Sequence, residues 1–329
     1  MTIQITILGL GRIGTSLGLA LADKKPAITR VGNDREPQFA RQAQKLGAVD
    51  QTHFNLPSAV RQADIVILAM PVDEIKSTLE SIALDLKEGC VVLDTSPIKR
   101  SVEGWAEQIL PKGRPFVGFT PTLNPAYLHD TATGPDAGHA DLFKNSLVII
   151  TSPHGADADA LKLAADMAVL IGSTPFFADS DEIDGLMAAV QLLPELMSAA
   201  LVDATVSQPG WNEARKAAGS AYAHASQPLL NLTESQFFGQ GALLNKDNTL
   251  RMLDCAINSL RDLRQAISDG DEEALAQQVR GAVDARIAWQ VQREKSDWNL
   301  PTNAEPLPTS GEVLGRLIGL GKKRKDTKK

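Results

Sequence analysis

Residues Ile5 to Gly14 read Ile-Thr-Ile-Leu-Gly-Leu-Gly-Arg-Ile-Gly, an apolar strand that runs directly into a Gly-x-Gly-x-x-Gly turn. Gly9 permits the tight turn, Gly11 leaves room for a phosphate, and Gly14 lets the following helix pack close to the strand. The N-terminus of that helix points its dipole at the bound anion. This order of strand, turn and helix predicts a site for the pyrophosphate of a dinucleotide.

The residue expected to hold the adenosine ribose is Asp34. It follows a second predicted strand, Ile28–Asn33, and lies about 20 residues after Gly14, the spacing at which a carboxylate reaches the ribose hydroxyls. Such a carboxylate accepts a hydrogen bond from the 2′-hydroxyl of NAD and repels the 2′-phosphate of NADP. The sequence therefore favours NAD, while the adjacent Arg35, a possible phosphate ligand, leaves NADP as the alternative.

A third loop completes the predicted cofactor site. Met70 and Pro71 follow the apolar run Ile65–Ala69, at the carboxyl end of a predicted strand, where open α/β sheets bind their ligands. The predicted cofactor-binding residues are Gly9, Gly11, Arg12, Ile13, Gly14, Asp34, Arg35, Met70 and Pro71.

Composition narrows the class of protein. The chain has 329 residues, 43% of them hydrophobic, and a formal net charge of −7. This length accommodates two domains with full cores, and the negative charge gives no electrostatic support for nucleic-acid binding. Cys90 and Cys255 lie far apart in sequence and indicate neither a disulfide framework nor a metal cluster.

The sequence also carries an expectation about location. The N-terminus is a predicted strand and lacks the regions of a signal peptide, and there is no run of roughly 18 or more apolar residues that would span a membrane. We expect a cytoplasmic protein with no metal, membrane or nucleic-acid partner.

Strands and helices alternate through the first half of the chain. Short apolar runs separated by helical segments are typical of βαβ units in a buried parallel sheet. The predicted strands are Ile3–Leu8, Ile28–Asn33, Ile65–Ala69, Val91–Asp94, Pro115–Gly118, Ser146–Thr151 and Thr174–Ala178. This pattern predicts an α/β fold with a Rossmann-type, doubly wound parallel sheet over residues 1–178.

The second half is predicted to be an all-helical domain over residues 179–299. A helix over Asp184–Val206 is expected to kink at Pro194. A second helix, Asn248–Ser268, carries apolar residues at three- and four-residue steps and so has one apolar face. Gly270 ends that helix, and another follows it.

Two expectations concern contacts beyond the chain. The apolar helical face predicts a homodimer joined through residues 181–298, with a self-contained bundle as the alternative. Residues 300–329 are predicted to be a proline-containing linker and a basic tail. The tail is interpreted as solvated, the alternative being a weak contact with an anionic surface or RNA.

Two further loops carry polar groups at the carboxyl ends of predicted strands. Asp94-Thr-Ser-Pro-Ile-Lys99 offers two hydroxyls and an ammonium, and Gly118-Phe-Thr-Pro-Thr-Leu-Asn124 offers further hydroxyls and an amide. Their position favours a ligand site, although Pro, Ser, Thr and Asn also dominate ordinary turns.

Together these segments resemble the prephenate/arogenate dehydrogenase family as far as about residue 298. The resemblance rests on Gly-Leu-Gly-Arg-Ile-Gly, Ala-Asp-Ile-Val-Ile-Leu-Ala-Met-Pro, Asp-Thr-Ser-Pro-Ile-Lys, and Asp-Glu-Ile-Asp-Gly-Leu-Met-Ala-Ala-Val-Gln-Leu-Leu-Pro, which ends at Pro194. It implies an NAD(P) domain, a helical dimer-forming domain, and oxidative decarboxylation of a cyclohexadienyl acid toward tyrosine.

The chain departs from the family pattern at the positions that correspond to the family's catalytic and substrate-binding residues. Thr120-Pro121 stands where the resemblance implies a catalytic His-Pro pair. The family's loop serine falls at Pro97, with Ser96 one residue early. The positions of the substrate-binding arginines fall, in a loose alignment, at Ala223 and Gln227.

A catalytic set is nevertheless predicted. Oxidation of an alcohol needs a base near the hydroxyl, and threonine has no useful pKa for that role. The predicted catalytic residues are therefore Lys99, as an acid/base whose pKa burial would lower, with Ser96 and Thr120. The alternative for Lys99 is a solvated loop lysine or a phosphate contact. Weaker candidates are Glu195, His224, His129 and His139.

Three functions remain open at this point. The first is an NAD-dependent dehydrogenase of prephenate/arogenate type with altered catalytic groups. The second is a dehydrogenase of the same fold for another small acid. The third is an NAD-binding sensor or partner protein without catalysis.

Overall fold

The computed structural model describes residues 2–24, 27–153, 155, 157–232 and 238–296. The chain divides into two compact units between Asp181 and Glu182, close to the predicted boundary at residue 178. The predicted linker and tail, residues 300–329, lie outside the described residues.

The N-terminal unit is built on one eight-stranded sheet with the order β3-β2-β1-β4-β5-β6-β7-β8. Its strands are β1 (Ile3–Leu8), β2 (Ile28–Asn33), β3 (Gln51–Thr52), β4 (Ile65–Leu68), β5 (Val91–Asp94), β6 (Phe116–Pro121), β7 (Leu147–Thr151) and β8 (Thr174–Phe177). Its helices are α1 (Arg12–Ala20), α2 (Pro37–Lys45), α3 (Leu56–Val60), α4 (Val72–Ile82), α5 (Arg100–Ile109) and α6 (Ala158–Leu170).

The sheet confirms the predicted doubly wound α/β fold, with one difference in strand direction. β1 pairs in parallel with β2 on one side and β4 on the other, so the strand order reverses beside β1. β6 and β7 pair antiparallel, with Gly118 opposite Thr151. The prediction of a wholly parallel sheet was therefore wrong at this pair, because an apolar run gives no information about strand direction. β3, which has only two residues, was also not predicted.

Alternation along the central strands divides the core between the two faces of the sheet. In β4, Ile65 and Ile67 belong to one hydrophobic cluster, with Leu17 of α1. The intervening Val66 and Leu68 belong to a second cluster on the other face. Because both faces are covered, the edge formed by the carboxyl ends of these strands is where the sheet offers a crevice to a ligand.

The C-terminal unit is helical throughout its described residues. Its helices are α7 (Ser180–Met187, which begins at the unit boundary), α8 (Leu193–Val206), α9 (Trp211–Ala217), α10 (Ser220–Ser226), α11 (Phe238–Leu244), α12 (Lys246–Asp269) and α13 (Glu272–Lys295). α9, α10 and α11 were not predicted, since each is only seven residues long and shows no clear period.

The predicted interruption at Pro194 takes a specific form. Residues 188–192 make one π-helical turn between α7 and α8, and Pro194 lies in the first turn of α8. A proline has no backbone N–H, and in the first turn of a helix none is needed. The π-helical turn before Pro194 ends α7 and lets α8 begin with the proline in its first turn. The interruption therefore lies just before the proline.

The long helices α12 and α13 form a hairpin whose turn was predicted. Gly270 ends α12 in the left-handed conformation, with φ of +66°, which costs glycine nothing. Asp271 then caps α13, its side chain accepting a hydrogen bond from the Ala274 N–H. The two helices are thus joined by a connection of two residues, Gly270 and Asp271.

One helical segment, Ser180–Val206, is long and apolar enough to cross a membrane by length and composition alone. The sequence expectation, which required an unbroken apolar run, did not identify it. The segment carries five acidic residues, Asp181, Glu182, Asp184, Glu195 and Asp203, and 17% of its apolar window is buried within the described structure, less than in the mostly buried core helix of a soluble protein.

Candidate dinucleotide and substrate site

The glycine turn has the geometry that a bound pyrophosphate requires. Gly9 has φ of +91°, and a Cβ there would lie 2.2 Å from the Ala69 carbonyl oxygen. A Cβ on Gly14 would lie 1.9 Å from the Gly9 carbonyl oxygen. A Cβ on Gly11, by contrast, would meet no described atom within 4 Å. Gly9 and Gly14 are therefore required by the fold, while Gly11 leaves open space at the N-terminus of α1.

Asp34 lies at the end of β2 and is tied to this turn. Its Oδ2 accepts a hydrogen bond from the Leu10 N–H at 2.6 Å, and its Oδ1 accepts one from the Glu36 N–H at 2.7 Å. Burial raises the pKa of Asp34, against the lowering effect of those two hydrogen bonds. The carboxylate is thus fixed beside the turn, and each oxygen has a lone pair left for a ribose hydroxyl.

The guanidinium of Arg35 is paired with two carboxylates. Its Nη1 is 2.5 Å from Oε1 of Glu74, and its Nε is 3.8 Å from Oε1 of Glu36. The side chain remains 52% exposed. The only cation next to Asp34 in sequence is therefore already paired with carboxylates.

The first turn of α1 supplies a second cation, Arg12. Its Nη1 donates to the Asp130 carbonyl oxygen at 2.9 Å, and its Nη2 lies 3.1 Å from Oδ2 of the same residue. Its Nε is buried and has no hydrogen-bond partner among the described residues. An unpaired buried donor in the first turn of α1, beside the glycine turn, is consistent with an anionic ligand at that place.

The segment that holds Arg12 contains the two predicted loop histidines. His139 stacks on Tyr127, with ring centroids 4.4 Å apart, and its Nε2 lies 3.7 Å from Oδ2 of Asp130. The Ala132 N–H lowers the pKa of Asp130, and the hydrogen bond from Tyr127 to Asp141 raises the pKa of the tyrosine. The structure therefore gives His139 a partner, which the sequence did not identify.

The remaining predicted cofactor residues border the same turn. Met70 follows β4, and its sulfur accepts a hydrogen bond from Thr78. Pro71 precedes α4, and Ile13 packs against the core from the start of α1. The residues predicted for the dinucleotide are thus gathered at one edge of the sheet, and their space, charge and donors fit NAD.

The predicted catalytic residues also come together, but as a buried network. Lys99 is 0% exposed, and its Nζ donates to Oδ2 of Asp94 at 2.8 Å and to the Asp94 carbonyl oxygen at 2.9 Å. Ser96 Oγ donates to the same carboxylate at 2.8 Å. Thr120 Oγ1 donates to the Ser96 carbonyl oxygen at 2.8 Å. The interpretation of Lys99 as a solvated loop lysine is therefore wrong, because its ammonium is held inside the sheet edge.

Sequence reasoning missed a second buried carboxylate close to this network. Glu103 accepts hydrogen bonds from Thr151 Oγ1 at 2.9 Å and from Ser180 Oγ at 2.5 Å. A Cβ on Gly118 would lie 2.2 Å from Thr151 Oγ1 and 3.0 Å from Cδ of Lys99. Only the antiparallel pairing of β6 and β7 places Thr151 there, so no local signal could have revealed it.

The weaker candidates of the C-terminal unit lie on α8 and α10. Burial raises the pKa of Glu195 to about 7, and Gln191 Nε2 donates to its Oε1 at 2.9 Å. His224 is exposed on α10, and His129, in the segment after β6 of the N-terminal unit, is exposed as well. No group of three or more His, Cys, Asp and Glu suited to a metal ion occurs in the part of the chain that the structure describes.

The fold and the turn define a two-domain dinucleotide-binding protein, with a Rossmann-type unit followed by a helical unit. The sequence model of the prephenate dehydrogenase nucleotide-binding domain matches residues 17–174, and that of the prephenate dehydrogenase dimerization domain matches residues 179–280. The chain belongs to the prephenate dehydrogenase family, as the sequence motifs indicated.

Individual relatives agree with this assignment. The chain is 27% identical over 290 residues to cyclohexadienyl dehydrogenase from Zymomonas mobilis, covering 87% of this chain and 95% of that protein. It is also 27% identical over 297 residues to prephenate dehydrogenase from Bacillus subtilis, covering 86% and 75%. The structure of prephenate dehydrogenase from A. aeolicus, solved with hydroxyphenyl propionate and NAD+, has the same fold, with a TM-score of 0.76 and 22% identity over 88% and 99% of the two chains.

Proposed function

We propose that the protein is an NAD-dependent dehydrogenase that oxidatively decarboxylates a cyclohexadienyl acid of the prephenate or arogenate kind. The observation that carries the proposal is the glycine turn, with open space at Gly11 and the carboxylate of Asp34 fixed beside it. Family membership over both units and the names of the relatives from Z. mobilis and B. subtilis support the substrate class.

The chain's own residues divide the work of holding NAD, which supplies the hydride acceptor. Backbone N–H groups at the start of α1 would bind the pyrophosphate, and Arg12 would add positive charge beside it. Asp34 accepts hydrogen bonds from the adenosine ribose. In the proposed reaction the substrate would give a hydride to NAD and release its ring carboxylate as CO₂, and a proton removed from its hydroxyl during oxidation would return to the oxygen of the phenol product.

The predicted catalytic residues take different roles in this proposal. Lys99 and Asp94 neutralise each other inside the sheet edge and position the Ser96 loop, rather than exchanging a proton with substrate. The hydroxyl groups of Ser96 and Thr120 each donate a hydrogen bond to an oxygen of the protein. They therefore act as hydrogen-bond acceptors towards the substrate. Replacement of the family histidine by Thr120 is the observation that favours the alternative, an NAD-binding protein without catalysis.

The decisive assay follows the absorbance of NADH with prephenate, arogenate and a panel of 2- and 3-hydroxy acids. We expect NADH formation with prephenate or arogenate. No turnover across the panel, together with tight NAD binding, would establish the non-catalytic alternative. Turnover of a hydroxy acid alone would show that the substrate belongs to a different class.

A matched pair of variants tests the cofactor site without relying on turnover. Gly11→Ala adds a methyl group where the structure has open space, so we expect unchanged thermal stability and NAD affinity reduced by about tenfold or more. Gly14→Ala drives a methyl group into the backbone of the turn, so it should unfold the N-terminal unit. Normal NAD binding by Gly11→Ala would contradict the proposed position of the pyrophosphate.

We also propose that the protein is a soluble, cytoplasmic homodimer joined through residues 181–298. The match of the dimerization domain to residues 179–280 supports this assembly and covers the apolar segment Ser180–Val206. Light scattering should return twice the 35.2 kDa chain mass. A mass of one chain at micromolar concentration would favour the self-contained bundle.

A further inference from the structure

The ion pair between Arg35 and Glu74 connects two elements on opposite sides of the glycine turn. Arg35 follows β2, and Glu74 lies in the first turn of α4, after β4. In the sheet, β2 and β4 are the two neighbours of β1. The contact at 2.5 Å therefore bridges the two loops that border the end of β1.

The chemistry around Arg35 opposes a phosphate ligand. Asp34 precedes it, Glu36 is 3.8 Å from its Nε, and Glu74 occupies its Nη1. Three carboxylates thus surround one guanidinium, and the group carries net negative charge. Burial raises the pKa of Glu74, Arg35 lowers it, and the charges of Asp73 and Asp34 raise it, in keeping with a cluster of carboxylates near Arg35.

An arginine directly after the ribose-binding residue is otherwise well suited to a 2′-phosphate, because its planar fork donates two parallel hydrogen bonds to phosphate oxygens. To receive NADP, Arg35 would have to leave Glu74. The freed carboxylate would then face a doubly charged phosphate at short range. Both costs fall on NADP alone, since the 2′-hydroxyl of NAD needs only Asp34.

We propose that Glu74 is a specificity-determining residue that selects NAD against NADP by holding Arg35 away from the 2′ position. This inference rests on the proposed function to the extent that the turn binds a dinucleotide. It adds a residue from α4 to the discrimination made by Asp34. It also assigns Arg35 a role: the arginine is kept in place by Glu74 and is not a phosphate ligand in the native protein.

The test is direct titration of NAD and NADP by calorimetry, with no turnover involved. Glu74→Gln should raise NADP affinity by about tenfold, because Arg35 becomes available and one negative charge is removed. Its NAD affinity should change by less than about twofold, because in this proposal the 2′-hydroxyl of NAD is bound by Asp34 and not by Arg35. The gain for NADP should decrease at high ionic strength, since it is an exposed electrostatic effect.

Two further variants separate a specific effect from a general change in charge. Glu80→Gln removes the same charge from an exposed position of α4 and should leave both affinities unchanged. Adding Arg35→Gln to Glu74→Gln should abolish the gain, since the gain acts through the guanidinium.

An unchanged NADP affinity in Glu74→Gln, or a gain that persists in the double variant, would overturn the inference. An equal gain in Glu80→Gln would also overturn it, by showing that only net charge matters. Failure of the wild-type protein to bind NAD would instead reject the proposed function, so the two failures are distinguishable.

Discussion

The two units of the chain differ in how far they bury their apolar side chains. Both hydrophobic clusters consist of residues between Ile3 and Ile171, in the N-terminal unit. Among the described residues of the C-terminal unit, the long helices α12 and α13 instead leave large apolar side chains exposed. These are Leu250, Ile257, Leu260, Ile267, Val279, Val283, Ile287, Trp289 and Val291.

The difference follows from how each architecture buries surface. A sheet covered on both faces encloses its own core, and its central strands β4 and β5 are buried at every residue. A pair of antiparallel helices covers only one stripe of each helix, and an apolar face left over needs a partner. The groove between α12 and α13, lined by Leu263, Val279 and Val283, has a volume of about 400 Å³. The N-terminal unit therefore buries its core within one chain, whereas the described part of the C-terminal unit leaves apolar side chains exposed along α12 and α13.

The largest expected effect concerns the buried polar network of Lys99, Asp94 and Ser96 in the N-terminal unit. Lys99→Met leaves the carboxylate of Asp94 buried without its cation, which should lower the free energy of unfolding by about 3–5 kcal/mol. Chemical denaturation followed by circular dichroism measures the change. If Lys99 were instead an exposed catalytic lysine, the variant would lose turnover but keep its stability.

A double variant controls for the loss of the lysine side chain itself. Asp94→Asn combined with Lys99→Met removes both charges and should recover part of the stability, as coupled neighbours do. Additive losses would show that the ion pair contributes little to the N-terminal unit.

The next effect concerns the proposed dimer interface of the C-terminal unit. Val283 is 50% exposed in the groove, so Val283→Arg should leave the fold of one chain intact while placing a charge in the proposed interface. We expect dimer dissociation to become about 100-fold easier, equivalent to about 2.7 kcal/mol. Gln277→Arg, at an exposed position of α13 outside the groove, is the control. Sedimentation showing dimers for Val283→Arg would remove the groove from the interface.

The smallest effect is a pH dependence within the C-terminal unit. Burial raises the pKa of Glu195 to about 7 from its ordinary value of 4.5. The folded protein therefore holds a proton between these values that the unfolded chain releases, and stability falls as the pH rises from 4.5 to 7. Glu195→Gln has no charge to desolvate, so it should gain about 1–2 kcal/mol relative to wild type above pH 7, after allowance for solvent screening. The gain should vanish below pH 4.5.

A matched position on α13 tests this cause. Gln290 donates to Glu294 four residues later at 2.9 Å, as Gln191 does to Glu195, but Glu294 is exposed. Thermal melts of Glu294→Gln should therefore follow wild type at every pH. A pH-dependent difference as large as that of Glu195→Gln would show that burial is not its source.

Much of the N-terminal unit was predictable because its signals are local. Apolar runs predict the bounds of β1 and β2. The glycine turn is predicted by residues at positions that only glycine can occupy. The site was less predictable. Lys99 and Ser96 follow the end of β5, as predicted, but the ion pair between Lys99 and Asp94 depends on the loop returning the lysine side chain to that strand. The partner of Arg35 lies 39 residues away, and no spacing rule pairs it with Glu74.

The sequence by itself determined the class of this protein: a dinucleotide turn on a strand, alternating strands and helices, and then a helical segment, all encoded within windows of a few residues. The tertiary structure alone decided which charges face one another. It turned β7 against β6, which placed Thr151 beside Glu103, and it enclosed the ammonium of Lys99. The physical reason is that backbone conformation responds to neighbouring residues, whereas the pKa and pairing of a charge depend on solvent exclusion and distance in space, which exist only once distant strands have packed.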